Sequence, residues 1–304
     1  MDKSTAAAFV DLERAAIGRP VTRLGVSFFP VYLMDNPLPV IATGPKSGRV
    51  IEELPDASVP TLTAANPTDR PILLVEGEQF LGGDQNRTLN VSVLVPAAAT
   101  LKIPVSCLEA GRWGRRRDFA AGSTYTHRRV RRAKNAAVAR QAATAEARRG
   151  DQNAVWSSID AELDDLGVAA PTRAMAAADS VYEREPDRQA AADELGALGP
   201  LPGQCGVVVT HGPRVVATEV FGAPELLRPH WGALVRAYLL ERPTIAGRPS
   251  ASRVLRKLGR VSKAACRETP GLGLGVERHL AGAKAVGQAL ALESAVVHAS
   301  VLSG

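Results

Sequence analysis

Two carboxylates lie close together in the stretch VEGEQFLGGDQNRTLN, residues 75–90. If a β-strand continues through Glu76 and Glu78, their i, i+2 spacing places both side chains on one face. Like charges held together raise one of the two pKa values, so the pair suits general acid–base catalysis or the binding of a divalent cation. The structural alternative is a solvated strand end before the turn at Gly82 and Gly83.

The same stretch carries amide and guanidinium groups suited to a polar ligand. Gln85, Asn86 and Asn90 provide amides, and Arg87 can bind a phosphate or carboxylate through two nitrogens. The adjacent glycines would let a ligand approach the backbone closely. The alternative is an irregular loop whose polar side chains only brace one another.

A second group of reactive side chains ends the segment LKIPVSCLEAGRW, residues 101–113. Cys107 and Glu109 repeat the i, i+2 spacing, and Arg112 and Trp113 follow directly. Arg112 is suited to holding an anion, Trp113 to stacking on a ring, and Cys107 to nucleophilic attack. The structural alternatives are a small buried cysteine and a tryptophan that belongs to the core or to a lid.

An arginine-rich segment indicates a different kind of function. Arg128, Arg129, Arg131 and Arg132 lie in THRRVRRAKNAAVARQAATAEARRG, whose alanines favour a helix. Such a helix could follow the phosphates of a nucleic acid. No nucleic-acid fold signature accompanies it, so the composition favours a solvated or partner-binding face.

Several well-known chemistries leave no motif in this sequence. The five histidines show no spacing typical of metal ligands, and the three cysteines form no Cys-x-x-Cys motif. GLGLG at 271–275 lacks the dinucleotide-binding spacing, and neither a phosphate-binding loop nor a G-x-S-x-G elbow occurs. No standard nucleotide-binding or hydrolase motif can therefore be assigned.

The strands and helices indicated by the sequence pattern predict an α+β fold packed into one globular unit. Residues 21–113 predict an antiparallel β-rich part, because short apolar segments alternate with Pro, Gly and Asn-Pro. Residues 124–185 predict a helical middle, and residues 204–304 a mixed part of hairpin, helices and strands. We expect residues 1–20 to be a helical or disordered tail and 21–304 to be a single domain.

Local signals predict individual boundaries inside this plan. Asp151 and Gly167 should cap the two ends of one helix, and Pro171 should open the next. His211–Arg214 should form a hairpin loop between two apolar strands. Residues 186–203, rich in Ala, Gly and Pro, are the most linker-like segment.

Composition limits the class of protein. The chain has 304 residues, is 45% hydrophobic and carries a formal net charge of +6, so it can build a substantial core and is only modestly basic. It contains no apolar run of about twenty residues, its first residues do not resemble a secretory signal, and its cysteines are odd in number and far apart. We therefore expect a soluble cytoplasmic protein with no membrane span.

Residues 75–113 resemble the ARG and rhodanese-phosphatase-superfamily-associated protein domain, a family of bacterial and archaeal proteins. The resemblance continues more loosely through 151–175 and 215–231, so it covers most of the chain. The matching motifs are Gly77-Glu78, Gln85-Asn86-Arg87, Val95-Pro96-Ala97, Ile103 to Cys107, Glu109, and Gly111 to Trp113.

The family name implies an association with ADP-ribosylglycohydrolases, and thereby a link to NAD or ADP-ribose metabolism. We expect the protein to bind, and as a further step to hydrolyse, an ADP-ribose-like or other phosphorylated nucleotide metabolite. A divalent cation is the cofactor that this chemistry suggests. The competing interpretations are a noncatalytic binding or scaffold protein and nucleic-acid binding through Arg128, Arg129, Arg131 and Arg132.

This interpretation assigns a role to each candidate residue. Arginines hold phosphate, asparagines orient ribose hydroxyls, and the tryptophan stacks on a ring. Glu78 activates water, while Glu76 or Glu109 tunes it or helps to hold the cation. The expected ligand-binding residues are Gln85, Asn86, Arg87, Asn90, Cys107, Arg112 and Trp113. The expected catalytic residues are Glu76, Glu78 and Glu109, of which Glu76 and Glu78 are also the candidate metal ligands.

Overall fold

The computed structural model describes residues 9–10, 12, 14–54, 58–112, 114, 118–141, 148–243 and 245–304. Strands dominate both ends of this chain and helices its middle, which confirms the predicted α+β class. In chain order the strands are β1 (Ala16–Ile17), β2 (Val21–Arg23), β3 (Val26–Tyr32), β4 (Ala42–Thr43), β5 (Val50–Glu53), β6 (Thr61–Asn66), β7 (Ile72–Leu74), β8 (Gln79–Leu81), β9 (Arg87–Leu89), β10 (Val93–Val95), β11 (Ala99–Cys107), β12 (Ala120–Ala121), β13 (Gly206–His211), β14 (Arg214–Phe221), β15 (Arg267–Pro270), β16 (Val276–Ala281), β17 (Ala285–Leu292) and β18 (Ala295–Ser303).

The helices occupy the middle of the chain and the stretch after β14. Two short 3₁₀ turns, Met175–Asp179 and Arg228–His230, precede helices directly. The α-helices are α1 (Arg128–Gln141), α2 (Gln152–Leu166), α3 (Ser180–Arg184), α4 (Pro186–Leu198), α5 (Pro224–Leu227), α6 (Trp231–Leu239) and α7 (Ala251–Ser262).

A large antiparallel sheet forms the centre of the fold. Its strands follow the order β1-β3-β13-β14-β18-β17-β16-β15, with β2 also paired to β3. The inner strands β13 and β18 are buried along their whole length. Both faces are therefore covered, which explains why these strands read as continuous apolar runs and not as an alternating pattern.

Helices cover the two faces of this sheet. On one face, α2 and α6 contribute Val155, Ile159 and Leu234 to the largest hydrophobic cluster. A second cluster receives Val254, Leu258 and Val261 from α7. Ser262 is buried as well, and most of the other side chains of α7 are exposed.

Two smaller sheets, with the loops that join their strands, carry most of the candidate site residues. One follows the order β12-β8-β9-β11-β6-β5, and the other the order β10-β7-β4, in which β4 and β7 are parallel. A third hydrophobic cluster, including Leu62, Leu89 and Ile103, packs beneath them. The ends of β8, β9 and β11 meet because β9 pairs with both of the others.

Several local expectations are confirmed. The Asp151 carboxylate accepts a hydrogen bond from the backbone N–H of Ala154, and Gly167 ends α2 with φ of 63°. The hairpin between β13 and β14 turns at Gly212, as predicted. Within residues 1–20, Ala16 and Ile17 pair with β3, and the expected domain boundaries stay a prediction.

Two expectations about the helical middle are wrong. Pro171 does not open a helix, because the segment after it is tied to the loop following β11: Gly111 donates to the Thr172 carbonyl, and Ala174 forms a bridge with Glu109. The linker-like stretch contains α4, with Pro186 in its first turn, where a missing N–H costs nothing.

Candidate functional site

A turn at Gly77 separates the two carboxylates that the sequence places side by side. Gly77 has φ of +86°, and a Cβ at this position would lie 2.6 Å from Nε of Arg131. Only glycine fits both the backbone and the space. The strand therefore does not continue through Glu76 and Glu78, and the expectation that both project from one face is wrong.

Glu76 lies in a buried ion-pair network that ties α1 to the large sheet. Its carboxylate is 2.7 Å from both Arg131 and Lys134, and Arg131 is 2.6 Å from Glu219 on β14. Burial raises the pKa of Glu76, but the charges of Arg131 and Lys134 outweigh burial and lower it to about 2. The network holds two cations and two anions, so it balances its own charge inside the protein.

Asn90 belongs to the same interior. Its side chain accepts from Ser106 and donates to the Arg148 carbonyl, while its backbone carbonyl accepts from Lys134 and Gln288. Asn90 is fully buried. The structure thus places Glu76 and Asn90 as braces between layers and not on an accessible surface.

Glu78 faces a small pocket on the other side of the turn. Its carboxylate is 2.5 Å from Arg49 and 3.4 Å from Nδ1 of His230. Burial raises the pKa of Glu78 despite Arg49, and burial lowers that of His230 well below its usual value. The pocket has a volume of only about 40 Å³, which suits water and excludes a nucleotide.

The hydrogen bonds around His230 define its tautomer. Thr43 donates its hydroxyl proton to the Leu73 carbonyl at 2.7 Å, so it must accept from Nε2 of His230 at 2.8 Å. The other ring nitrogen, Nδ1, is then free to accept from the Tyr125 hydroxyl at 2.7 Å. His230 is therefore a neutral ring with both nitrogens engaged. Neither Arg49 nor His230 was among the residues predicted to be functional.

Asn86, Glu109 and Arg112 line a cleft of about 440 Å³, which we call the Arg112 cleft. Its walls come from the β8–β9 hairpin loop, the segment after β11 and the segment leading into β12. The lining residues are Leu81, Gly82, Asn86, Glu109, Arg112, Asp118 and Ala120.

Arg112 organises this cleft through its guanidinium group. Nε donates to Glu109 at 2.8 Å, Nη1 to the Gly83 carbonyl at 3.0 Å, and Nη2 to the Gly82 carbonyl at 3.2 Å and to Oδ1 of Asn86 at 3.1 Å. The backbone N–H of Gly82 also donates to Asn86, which closes the loop. The Arg112 side chain is still 24% exposed, so it clamps the loop and faces the cleft at once.

Three further candidate residues lie behind the cleft. Gln85 donates to the Glu109 carbonyl and accepts from both Arg87 and the Cys107 thiol. Arg87 is only 1% exposed and lies 3.8 Å from Glu53. Burial raises the pKa of the Cys107 thiol to about 11 against the charge of Arg87, which leaves little thiolate at neutral pH. These residues support the cleft and do not line it.

The candidate residues are thus divided among the cleft, the layer behind it, the small pocket and the buried ion-pair network. The cleft gathers Asn86, Glu109 and Arg112, while Glu78 lies in the small pocket, and Trp113 falls outside the described residues. Asp118 was not predicted, because it has no motif of its own. The interior partners of Glu76 were not predicted either, since nothing in the sequence relates them to one another.

The arginines proposed to contact nucleic acid do not form one solvated face. Arg131 is buried, Arg128 pairs with Glu241, and Arg129 pairs with Asp165. Arg132 donates to the Ala283 carbonyl. Helix α1 therefore uses these side chains largely to join neighbouring elements.

Metal and membrane sites can be considered for the described residues. They contain no group of three or more His, Cys, Asp or Glu side chains placed to hold a metal ion. Two acidic residues, Glu109 and Asp118, line the Arg112 cleft, and Mg²⁺ bound together with substrate phosphates commonly uses one or two carboxylates. Among the same residues, no helix combines the length and the apolar composition of a membrane span.

Comparison with known proteins adds one finding. A model of the ARG and Rhodanese-Phosphatase-superfamily-associated Protein domain matches residues 14–302, nearly the whole chain, and confirms the resemblance seen in the motifs. No curated protein and no solved structure matches. The protein therefore belongs to the family of the ARG and Rhodanese-Phosphatase-superfamily-associated Protein domain.

Proposed function

We propose that the Arg112 cleft binds a phosphorylated nucleotide metabolite of the ADP-ribose type. The observation that carries this proposal is that Asn86, Glu109 and Arg112, three residues of the family motif, line one cleft of about 440 Å³. This volume lies in the range of small-molecule sites. The family name supports the ligand class, because we interpret ARG as the ADP-ribosylglycohydrolases.

Donors at the cleft are suited to phosphate and ribose. An arginine has five N–H donors, and Arg112 uses four, which leaves one N–H for a ligand, while its positive charge is shared with Glu109. Asn86 uses its side-chain oxygen in the loop, and within the described structure its Nδ2 donates to no protein group. Arg112 would contact a phosphate and Asn86 a ribose hydroxyl.

A divalent cation follows from the charges that line the cleft. Two acidic residues, Glu109 and Asp118, line the cleft together with a single arginine, so a bare pyrophosphate would meet repulsion as well as attraction. Mg²⁺ joined to one or both carboxylates and to the phosphates would relieve that repulsion. We therefore expect ligand binding to be stronger with Mg²⁺ than without it.

Hydrolysis is the further step of this proposal. Glu109 would take a proton from a water whose oxygen attacks a phosphorus of the pyrophosphate. The bridging P–O bond would then break, and the leaving phosphate would take the bridging oxygen. Glu78 lies in the separate small pocket, so we propose Glu109 as the general base in place of Glu78.

Isothermal titration calorimetry with ADP-ribose, with and without Mg²⁺, tests the binding proposal. Arg112→Ala should abolish the heat of binding. Arg184→Ala is the matched control, because Arg184 is an exposed arginine that also holds two backbone carbonyls, those of Leu166 and Gly167. Absence of binding by the folded wild-type protein under both conditions would remove ADP-ribose as the ligand.

A noncatalytic binding protein is the second candidate function. It is favoured by the burial of Glu76, Arg87 and Asn90, which brace the fold although the sequence places them in the richest polar stretch. Chromatography of ADP-ribose incubated with the protein separates the two candidates. New products that disappear in Glu109→Gln, while binding persists, indicate an enzyme; binding without product indicates a binding protein.

A further inference from the structure

Helix α7 presents an unusually basic solvent face. From Arg242 to Arg267 the chain has eight Lys and Arg residues and no Asp or Glu. The apolar side of α7 is buried through Val254, Leu258 and Val261. Four of these eight residues, Arg253, Arg256, Lys257 and Arg260, lie on α7, a helix whose orientation the core fixes.

The basic residues of α7 follow one line. Arg253, Arg256, Arg260 and Lys263 are spaced three, four and three positions apart, and all four are exposed. At about 1.5 Å per residue, the line is about 15 Å long. Three of these side chains border a surface depression of about 700 Å³ centred on Gly259.

Gly259 lies in the interior of helix α7, on its basic side. Glycine in a helix interior lowers stability by about 1 kcal/mol relative to alanine. A Cβ at Gly259 would meet no atom within 4 Å, so no internal packing requires this glycine. A partner that approaches the helix backbone closely would account for it.

The arginines of this line differ from those of α1, among which Arg128 and Arg129 form ion pairs. Among the described residues, Arg253, Arg256 and Arg260 form no ion pair. Burial and the neighbouring charge of Arg260 lower the pKa of Lys257. The face thus carries repulsion that an external anion would relieve.

We propose that α7 binds the phosphate backbone of double-stranded nucleic acid without sequence preference. A line of about 15 Å spans roughly four phosphates at about 3.4 Å per phosphate along one strand. The segment 245–267 contains no Phe, Tyr or Trp, so it offers no ring for stacking on unpaired bases.

The same features disfavour a membrane as the partner. A helix that binds in the plane of a bilayer inserts its apolar face among the lipids. In α7 that face is already buried against the large sheet, and only Leu255 is a large exposed apolar side chain of the helix. A charged polymer needs no apolar face, which fits the exposed side of α7.

Fluorescence anisotropy with a labelled random-sequence duplex DNA of roughly 20 base pairs tests the proposal. The wild-type protein should bind at about 50 mM salt, with a slope of log K against log salt of about −3.5, the value for about four phosphate contacts. The triple variant Arg253→Gln/Arg256→Gln/Arg260→Gln should bind at least about tenfold more weakly. Its melting temperature should match that of the wild type, because the three side chains are exposed.

A matched variant separates a site from overall charge. Arg129→Gln/Arg173→Gln/Arg184→Gln removes the same number of exposed positive charges elsewhere, and it should bind DNA within about threefold of wild type. Equal weakening in both triple variants would overturn the assignment to α7, as would absence of binding at low salt. Binding to anionic phosphatidylserine vesicles without binding to DNA would overturn the choice of partner.

Discussion

Removing Arg131 should destabilise the protein more than removing any exposed arginine of α1. Arg131 bridges Glu76 and Glu219, and all three side chains are at most 1% exposed. In Arg131→Met, Glu76 keeps Lys134 as a cation, whereas Glu219 keeps, among the described residues, the hydroxyl of Tyr238 and a neutral His298 3.8 Å away. Burial lowers the pKa of His298 to about 3, so it supplies no charge at neutral pH.

The expected loss of stability in Arg131→Met arises because one carboxylate stays buried without a cation. Breaking a buried ion pair in this way costs about 3–5 kcal/mol. That is a large share of the roughly 5–15 kcal/mol that stabilises a typical domain. Arg129→Met is the control on the same helix, and its 46% exposed side chain pairs with Asp165 at the surface. The control should change stability by no more than about 1 kcal/mol.

Urea unfolding at pH 7, followed by circular dichroism, measures both variants. Adding Glu219→Gln to Arg131→Met removes the orphan charge, so the double variant should be more stable than Arg131→Met alone. If Arg131→Met lowers the free energy of unfolding no more than Arg129→Met does, the buried network does not hold the fold together. If adding Glu219→Gln does not restore part of that free energy, the loss comes from packing and not from charge.

Three further predictions concern other buried groups. The pKa of Glu76 is lowered from 4.5 to about 2, so on acidification the unfolded state binds the Glu76 proton before the folded state does. The contribution of Glu76 to stability is therefore present above pH 4.5 and lost as the pH falls toward about 2. Acid unfolding curves should therefore be steeper in this range for wild type than for Glu76→Gln. Glu78→Gln should lower the free energy of unfolding by about 3 kcal/mol because it leaves Arg49 buried without its partner, whereas the exposed Glu52→Gln should change it by less than about 0.5 kcal/mol. With a thiol reagent at pH 8, Cys266, which is partly exposed, should react before Cys107, and rapid labelling of Cys107 in the native protein would contradict its burial.

Local signals made parts of the fold predictable. Asp151 and Gly167 cap α2 through groups a few positions away, so the chemistry that ends this helix is visible in the sequence. The hairpin at Gly212 is predictable for the same reason. Pro171 shows the limit of this reasoning, because the hydrogen bond between Gly111 and Thr172 lies across the fold and overrides a local helix signal.

The cleft was partly predictable because its residues lie at the ends of neighbouring strands. Asn86 precedes β9, and Glu109 and Arg112 follow β11, which pairs with β9. Adjacent strand ends bring such residues together whatever the rest of the fold does. Asp118 joins them only through the pairing of β12 with β8, two short strands that give no clear sequence signal.

The interior network was not predictable from the residues near Glu76. Its partner Arg131 lies 55 positions away on a helix whose composition suggests a solvated face. Gly77 then turns Glu76 and Glu78 in different directions, and a sequence pattern of period two cannot anticipate a residue with positive φ. Both failures have one cause, which is that long-range packing decides where a polar side chain points.

The strand order of the large sheet has a consequence for how the chain folds. β3 pairs with β13, and β18 lies between β14 and β17, so the sheet joins segments that are far apart in sequence. During synthesis β3 leaves the ribosome well before β13, with unpaired backbone on the edge that β13 will cover. Contacts of this range slow folding, and exposed apolar strands favour aggregation meanwhile. Production of this protein should therefore benefit from slow synthesis and from chaperones that shield early strands.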